Sequence, residues 1–236
     1  MKSEVKRLVI IPTFNEASNV VVLLPRLFKY IPDLSVLIVD DGSPDRTADI
    51  CEEMRGQFPN LYIERRGQKM GLGSAYRFGF RWGLERGFEE LIEMDADMSH
   101  RVRDLVKMIE SRRSNPNVGL VIGSRWTKGG STINWPKQRE FLSRGANLYV
   151  RMMLGMGVSD ATAGFRIYSA DVLRKINLDQ IKSEGYSFQI EMTRAAKKAG
   201  AKIIEIPITF RERESGVSKM SKSIVQEAML RVTRWG

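Results

Sequence analysis

The stretch Glu93-Met94-Asp95-Ala96-Asp97-Met98-Ser99-His100 ends an apolar run in two carboxylates spaced two apart, just ahead of a helical pattern. Residues i and i+2 of a strand point to the same side. Asp95 and Asp97, at a strand end, therefore aim at one hard cation. Such a cation suits a diphosphate, which makes nucleotide-sugar chemistry the leading reading. A single Asp-x-Asp is weak evidence on its own. Here two other acidic strand ends precede it, Thr13-Phe14-Asn15-Glu16 and Val39-Asp40-Asp41-Gly42-Ser43.

Outward from that stretch, the first half alternates strand and helix patterns. Short apolar runs at 8–12, 36–39, 61–63, 91–94 and 120–122 read as buried strands. Helical patterns occupy 18–30, 44–57, 73–85 and 102–112, and Ser43-Pro44-Asp45 reads as an N-cap followed by proline at the first helical position. This alternation predicts an α/β fold, a mostly parallel central sheet with helices on both faces. Ligands of such sheets bind outside the carboxyl ends of the strands. Acidic residues at three neighbouring strand ends then form one negative rim, which calls for a cation or for donor groups.

The second half reads differently. A loop is expected at 128–137, a basic apolar helix at 139–156 and a turn-rich segment up to Arg166. Helices at 170–176 and 189–198, a strand at 203–208, a charged loop at 211–222 and an amphipathic helix at 223–235 follow. We read one domain over 1–236, with a nucleotide-sugar half to about residue 125 and an acceptor half from about 126.

The chain has 236 residues and a formal net charge of +10, so an anionic partner or surface is expected. Cys51 is the only cysteine, which excludes an internal disulfide framework and points to a reducing, cytoplasmic compartment. No run approaches the ~20 apolar residues of a spanning helix. If the protein works at a membrane, it lies on the surface or docks to an integral partner.

The three strand ends resemble those of family-2 inverting glycosyltransferases with the Rossmann-like GT-A fold. Later stretches are similar to dolichol- and polyprenol-phosphate mannose synthases, above all those of actinobacteria. These stretches are Lys69-Met70-Gly71-Leu72-Gly73-Ser74-Ala75, Gly123-Ser124-Arg125, Asn134-Trp135-Pro136, Leu142-Ser143-Arg144-Gly145-Ala146-Asn147, Ala163-Gly164-Phe165-Arg166, Gly185-Tyr186-Ser187-Phe188-Gln189 and Ser215-Gly216-Val217-Ser218-Lys219-Met220.

The resemblance implies transfer of mannose from GDP-mannose to a polyprenyl phosphate, with inversion, at the cytoplasmic face of a membrane. Pro12, Phe14, Glu16, Val39 and Asp41 would hold the base and ribose. Lys69, Asp95, Ala96, Asp97, Arg213 and Lys219 would complete the donor site. Asp95, Asp97 and Ser99 would hold Mg2+ or Mn2+, and Arg125, Arg139 and Ser143 the acceptor phosphate. Asp97, Arg125, Arg213 and Lys219 would form the catalytic set. Many relatives carry tyrosine at Phe14, so this chain keeps the stacking face and lacks the hydroxyl.

Plainer readings compete at several positions. Asp45 reads as a helix cap, Cys51 as a small core residue and His100 as a structural contact. Gly71-Leu72-Gly73 either presents backbone N–H groups to phosphate or makes a simple tight turn. The stripes at 148–156 and 224–235 suit core packing, with a lipid interface as the alternative. Rival functions are a polyprenyl-phosphate glucose synthase using UDP-glucose, and a basic protein that binds nucleic acid or membrane without catalysis. The nucleic-acid reading leaves the acidic rim unexplained, and no nucleic-acid partner is expected.

Overall fold

Strands buried on both faces need nearly continuous apolar runs, because helices cover each side of a parallel sheet. The computed structural model, which describes residues 5–212, 231–233 and 235, turns all five expected runs into strands, of which all but the half-buried edge strand at 61–65 are buried on both faces. The elements in chain order are β1 (Arg7–Thr13), α1 (Ala17–Tyr30), β2 (Ser35–Asp40), α2 (Thr47–Met54), β3 (Leu61–Arg65), α3 (Leu72–Glu85), β4 (Glu90–Glu93), α4 (Val102–Ser114), β5 (Val118–Ser124), β6 (Ser131–Ile133), α5 (Lys137–Leu154), β7 (Arg166–Ser169), α6 (Ala170–Lys175), α7 (Gly185–Lys198), β8 (Lys202–Pro207) and β9 (Thr209–Arg211).

The main sheet has seven strands in the order β3-β2-β1-β4-β7-β5-β8. Only β7 runs antiparallel to its neighbours, pairing Glu93 with Arg166 on one side and Ile122 with Arg166 on the other. Alternate strand residues feed two cores. Leu8, Ile10, Leu37 and Val39 pack with α3, α6 and α7 on one face. Val9, Ile11, Val36 and Ile38 pack with α1, α2 and α4 on the other. On the first face α3 lies very close to the sheet: a Cβ added at Gly79 would stand 2.5 Å from Ile10 Cγ2, and one at Gly83 2.6 Å from Leu91 Cδ2. Side chains at these positions would push the helix off β1 and β4.

Several expectations are corrected. Strand β7 follows the turn-rich segment, in 166–169 where no element was expected; the loop expected at 128–137 contains β6, which pairs in parallel with β9, just past the expected strand 203–208, as a small second sheet. Helix α2 starts at Thr47, not at Pro44. Asp45 Oδ1 accepts from Thr47 N at 3.1 Å and Arg46 adopts φ +65°, so the cap lies in the turn after the proline. Asp45 Oδ2 also accepts from Ala17 N at 3.0 Å and so joins the starts of α1 and α2. Helix α7 begins four residues earlier than the pattern indicated, at Gly185.

The apolar stripe at 148–156 divides: Val150 and Met156 are in the core with Tyr149 and Leu154 packed against it, whereas Leu148, Met152 and Met153 are exposed. Most of the expected C-terminal helix, together with Arg213, Lys219 and the stretch 215–220, lies outside the described residues. Residues 231–233 and 235 are helical; Val232 is buried, and Tyr149 Oη lies 2.7 Å from Thr233 Oγ1. Among the described residues, no helix is long and apolar enough to cross a membrane.

Cys51 sits fully buried in the second core, and burial pushes its thiol up to about 12. At pH 8 the thiolate fraction is then about 10⁻⁴. A thiol-reactive dye should titrate no thiol in the native chain and one after unfolding in denaturant. Rapid labelling of the native chain would contradict the buried position.

Candidate active site

The strand order sets β2, β1 and β4 side by side, so their carboxyl ends bring Asp41, Phe14 and the Asp95/Asp97 pair to one rim. The expected neighbourhood of the three strand ends is thus produced by the crossover topology, not by any local spacing.

At the end of β2, Asp40 and Asp41 divide the work. Asp40 is buried and accepts from Thr13 Oγ1 at 2.9 Å, from Gly42 N at 3.1 Å and from Ser43 N at 2.9 Å, which shapes the turn. Asp41 accepts from Arg66 Nε at 2.7 Å and from Met70 N at 3.0 Å, and Arg66 Nη2 contacts it as well. Arg66 goes on to donate to Ser74 Oγ at 2.8 Å. Asp41 therefore anchors the 66–74 segment that carries Lys69. Lys69 Nζ lies 4.4 Å from the centre of the Phe14 ring, which joins two expected donor-site residues across the strand ends. Glu16 accepts from Asn19 Nδ2 at 2.6 Å. Pro12 is half-buried at the end of β1. Val39 is wholly buried in the core, so its expected contact with the base is corrected.

The Gly71-Leu72-Gly73 corner holds an anion, but the anion belongs to the protein. Glu184 accepts from Gly73 N at 2.7 Å, Ser74 N at 3.1 Å and Arg77 Nη2 at 3.2 Å. A Cβ at Gly71 would stand 2.5 Å from Glu184 Oε2, and φ at Gly71 is +93°. Neither of the two sequence readings anticipated this carboxylate, which arrives from 111 residues away and satisfies the helix end.

At the end of β4, the backbone N–H of Asp95 donates to His100 Nδ1 at 3.2 Å. The imidazole stacks on Phe165 at 4.6 Å and meets Phe210 edge-on at 5.5 Å. Burial holds His100 down at about 4, with the Asp97 carboxylate opposing, so the ring is neutral at pH 7 and its Nδ1 is an acceptor. His100 fixes the backbone of the acidic motif, in line with its structural reading. Asp97 Oδ1 accepts from Ser99 N at 3.1 Å, and Ala96 is buried between the two carboxylates.

Beneath the pair, burial pushes Glu93 up to about 8 against the pull of Arg166. At neutral pH Glu93 adds no third negative charge. Burial, then the Asp95, Glu93 and Asp97 carboxylates, raise the Tyr76 phenol well above its ordinary value. Its hydroxyl reaches Asp95 Oδ1 at 3.5 Å.

Whether these groups suit a divalent cation can be tested on their chemistry. Among the described residues, no group of three or more His, Cys, Asp or Glu side chains could hold a metal. Mg2+ commonly takes only one or two protein carboxylates and completes its shell with substrate phosphates and water. Asp95 and Asp97 offer hard oxygens of that kind. The Ser99 hydroxyl beside them is buried and has no hydrogen-bond partner among the described residues. Gly164 lies beside the pair: a Cβ there would make ordinary contact with Asp95 Oδ2, at 4.0 Å. The residues fit a hard cation shared with a diphosphate.

The expected acceptor-phosphate residues lie across β5 and α5. Arg125 is buried and its guanidinium edge is committed: Nε donates to Asp160 Oδ2 at 2.7 Å and Nη2 to Asp160 Oδ1 at 2.6 Å. Burial alone would depress the Arg125 pKa, but Asp160 outweighs it, and Asp160 is lowered in turn. The expectation of an open, phosphate-facing Arg125 is therefore corrected, because two of its nitrogens already serve a carboxylate. Trp126 and Trp135 flank it, each with its ring centre 5.3 Å from Arg125 Cζ. Arg139 Nη1 donates to both oxygens of Glu212 at 2.5 and 2.7 Å and its guanidinium lies 4.3 Å from the Trp135 ring. Ser143 is buried on the inner side of α5, where its carbonyl accepts from Asn147 Nδ2 at 2.9 Å.

Sequence reasoning missed Arg66, Asp160, Glu184 and Gln189. The Gln189 amide is buried beside Gly164 and close to the Glu93 carboxyl, whose pKa it pulls down against burial. Its only signal was its place in the Gly185–Gln189 stretch. The Asp160 and Glu184 contacts had none, since each depends on a distant pairing.

This sheet order, with an Asp-x-Asp at the end of β4, defines a nucleotide-sugar transferase of the GT-A type, and the chain belongs to glycosyl transferase family 2, whose profile matches residues 8–177. Within the family it is similar to polyprenyl-phosphate mannosyltransferases. It is 49% identical over 229 residues to the undecaprenyl-phosphate mannosyltransferase of Micrococcus luteus, covering 97% of this chain and 93% of that protein. It is 46% identical over 232 residues to the polyprenol monophosphomannose synthase of Mycolicibacterium smegmatis, covering 98% and 87%. Among solved structures, glucosyl-3-phosphoglycerate synthase from Mycobacterium tuberculosis, in complex with Mn2+, UDP-glucose and glycerol 3-phosphate, superposes with a TM-score of 0.66. That match has 16% identity and covers 98% of this chain and 78% of the other, a likeness of fold.

Proposed function

We propose that the chain transfers mannose from GDP-mannose to the phosphate of a polyprenyl phosphate, with inversion, giving polyprenyl phosphate mannose and GDP. The observation that carries this reading is the 46–49% identity, over nearly the whole chain, to two polyprenyl-phosphate mannosyltransferases. The rim of β2, β1 and β4 supports it, because it gathers carboxylates where a donor diphosphate would bind. We read residues 1–236 as one catalytic domain that works against the cytoplasmic face of a membrane, alone or with an integral partner.

A phosphate monoester loses its second proton near pH ~6. The acceptor is therefore already a nucleophile at neutral pH, and the site needs no strong base. This agrees with a His100 that is buried and occupied with Asp95 N. An acceptor phosphate oxygen attacks the anomeric carbon, the bond to the diphosphate breaks, and its electron pair leaves with GDP. Phe14, with Lys69 over its ring, faces the base and ribose; Asp41 acts through Arg66 by ordering the 66–74 segment. Asp95 and Asp97 hold Mg2+ or Mn2+, which when bound supplies positive charge to the leaving diphosphate.

Ser143 and Arg139 seat the acceptor phosphate, Arg139 through guanidinium nitrogens other than the Nη1 that Glu212 takes. Arg125, its edge held by Asp160, contributes from behind them. Arg213 and Lys219 complete the donor side as expected from the sequence. Their work is orientation and charge complementarity.

The test is to incubate the purified chain with a short-chain polyprenyl phosphate, Mg2+ or Mn2+, and GDP-mannose or UDP-glucose in parallel, and to weigh the lipid product. A mannolipid formed only from GDP-mannose is expected. A glucolipid from UDP-glucose would replace the donor, and absence of any glycolipid would overturn the transferase reading.

A further inference from the structure

Strand β9 joins the two halves of the site. Its backbone is tied to the acidic motif, where Arg211 N donates to Ser99 O at 3.2 Å. Its side chains reach the acceptor half. Phe210 and Glu212 are two residues apart and so point to the same side of the extended chain. Phe210 meets the His100 ring and the Trp135 ring edge-on, each at 5.5 Å. Glu212 reaches Arg139, and its own backbone N–H continues the pairing with β6 by donating to Ile133 O at 3.0 Å.

Arg139 stands in the first turn of α5, and its guanidinium is held on two sides. Its face lies 4.3 Å from the centre of the Trp135 ring. At its edge, Nη1 alone donates to both Glu212 oxygens, a contact made across 73 residues of chain. The two side chains are only 14% and 22% exposed, so salt and water screen the pair less than a surface ion pair. Arg139 Nε is buried and has no hydrogen-bond partner among the described residues. A guanidinium gripped by its face and by one terminal nitrogen keeps its planar fork in a fixed plane, with nitrogens left over for an anion.

We propose that Glu212 is a positioning residue for the acceptor phosphate. It fixes the fork of Arg139 relative to the Asp95–Ser99 corner, to which the same strand is tied. The inference rests on the reading of Arg139 as an acceptor-phosphate residue, and it adds what holds that arginine in place. Glu212 touches neither substrate and acts through Arg139. The rival role is a competitor, a carboxylate that occupies Arg139 until phosphate displaces it. A competitor would take the fork as phosphate does, through two nitrogens. Glu212 takes one. The two roles also predict opposite signs: removing a competitor tightens acceptor binding, and removing a positioning group loosens it.

Glu212→Gln keeps the length of the side chain and removes its charge. Binding of a short-chain polyprenyl phosphate to the full chain would be measured by calorimetry without donor. Initial rates of mannose transfer would be measured with each substrate varied. The Kd and KM for the polyprenyl phosphate are expected to rise about tenfold, the cost of a misplaced binding group. The kcat and the KM for GDP-mannose should stay within about twofold, since the lost contact serves ground state and transition state alike. In an Arg139→Gln background, Glu212→Gln should change acceptor binding no further, because its effect passes through the arginine. A merely structural role would instead lower the melting temperature, disturb both substrates and persist in that background.

Unchanged or tighter acceptor binding by Glu212→Gln would overturn the proposal, and so would additive effects in the double variant. Glu212→Asp, which restores the charge, should bind the acceptor more tightly than Glu212→Gln; the reverse order also overturns it. If acceptor binding follows the expected order but no form transfers mannose, the transferase reading fails and the positioning role stands. If the unsubstituted chain transfers mannose and Glu212→Gln binds the acceptor as before, the positioning role fails and the transferase reading stands.

Discussion

Asp97→Asn is expected to lower metal-dependent transfer by roughly 10²- to 10⁴-fold while leaving the melting temperature nearly unchanged. The substitution keeps the shape of the side chain and an oxygen that can accept from Ser99 N. What it removes is the negative charge proposed to face a cation and the donor diphosphate. A metal ion stabilising a leaving group contributes several kcal/mol, and each 1.36 kcal/mol is about tenfold in rate. The measurement is the initial rate of GDP release as Mg2+ or Mn2+ is varied. A variant with near-normal rate and the same metal dependence would remove Asp97 from the site. The neighbouring fold should tolerate the change, because His100 holds the motif through the backbone of Asp95 and not through Asp97.

The second large effect is on stability. Arg125→Met should lower the unfolding free energy by about 3–5 kcal/mol, because it strands a buried carboxylate. Asp160 is fully buried, and besides the guanidinium it accepts only from Arg125 N at 3.0 Å and Thr162 Oγ1 at 3.2 Å among the hydrogen bonds of the described residues. Adding Asp160→Leu to Arg125→Met should recover most of the loss, since an apolar pair of similar volume replaces a desolvated ion pair at little net cost. Urea denaturation of the three variants measures this directly. A single-variant loss below about 1 kcal/mol would mean that the pair is solvated or already uncoupled. The result also bears on catalysis. Any fall in transfer by Arg125→Met has to be read at a temperature where the variant is folded, or loss of the β5–α5 scaffold will pass for loss of a phosphate contact.

What could be read from the sequence were features with a short range. The runs at β1, β2 and β5 are apolar and short because both faces of each strand meet helices, and that shows in a handful of consecutive residues. The Asp95-Ala96-Asp97 spacing announces a shared direction for two carboxylates without reference to any other strand. Asp45 as a turn carboxylate and Cys51 as a core residue follow from the same local logic. Strand β7 was hidden because four residues with a buried arginine at their head give no apolar run. Arg166 is accommodated partly by near groups, the carbonyls of Ala161 and Ala163 and the Tyr168 hydroxyl, and partly by distant ones on α7, the Gln189 carbonyl and the Thr193 hydroxyl.

The sequence by itself determined the class of fold, the acidic strand ends and the family. The tertiary structure alone decided which charges remain available to a substrate. Arg125, Arg139 and the N-terminus of α3 look alike in sequence, as positive groups waiting for phosphate. Folding gives each a carboxylate of its own, from Asp160, Glu212 and Glu184. It also turns Leu148, Met152 and Met153 of α5 outward, where periodicity alone suggested core. The physical reason is one of range. Strand and helix patterns arise from neighbours a few residues apart, whereas pairing and burial of charge depend on groups tens to more than a hundred residues away, brought together only by the sheet order.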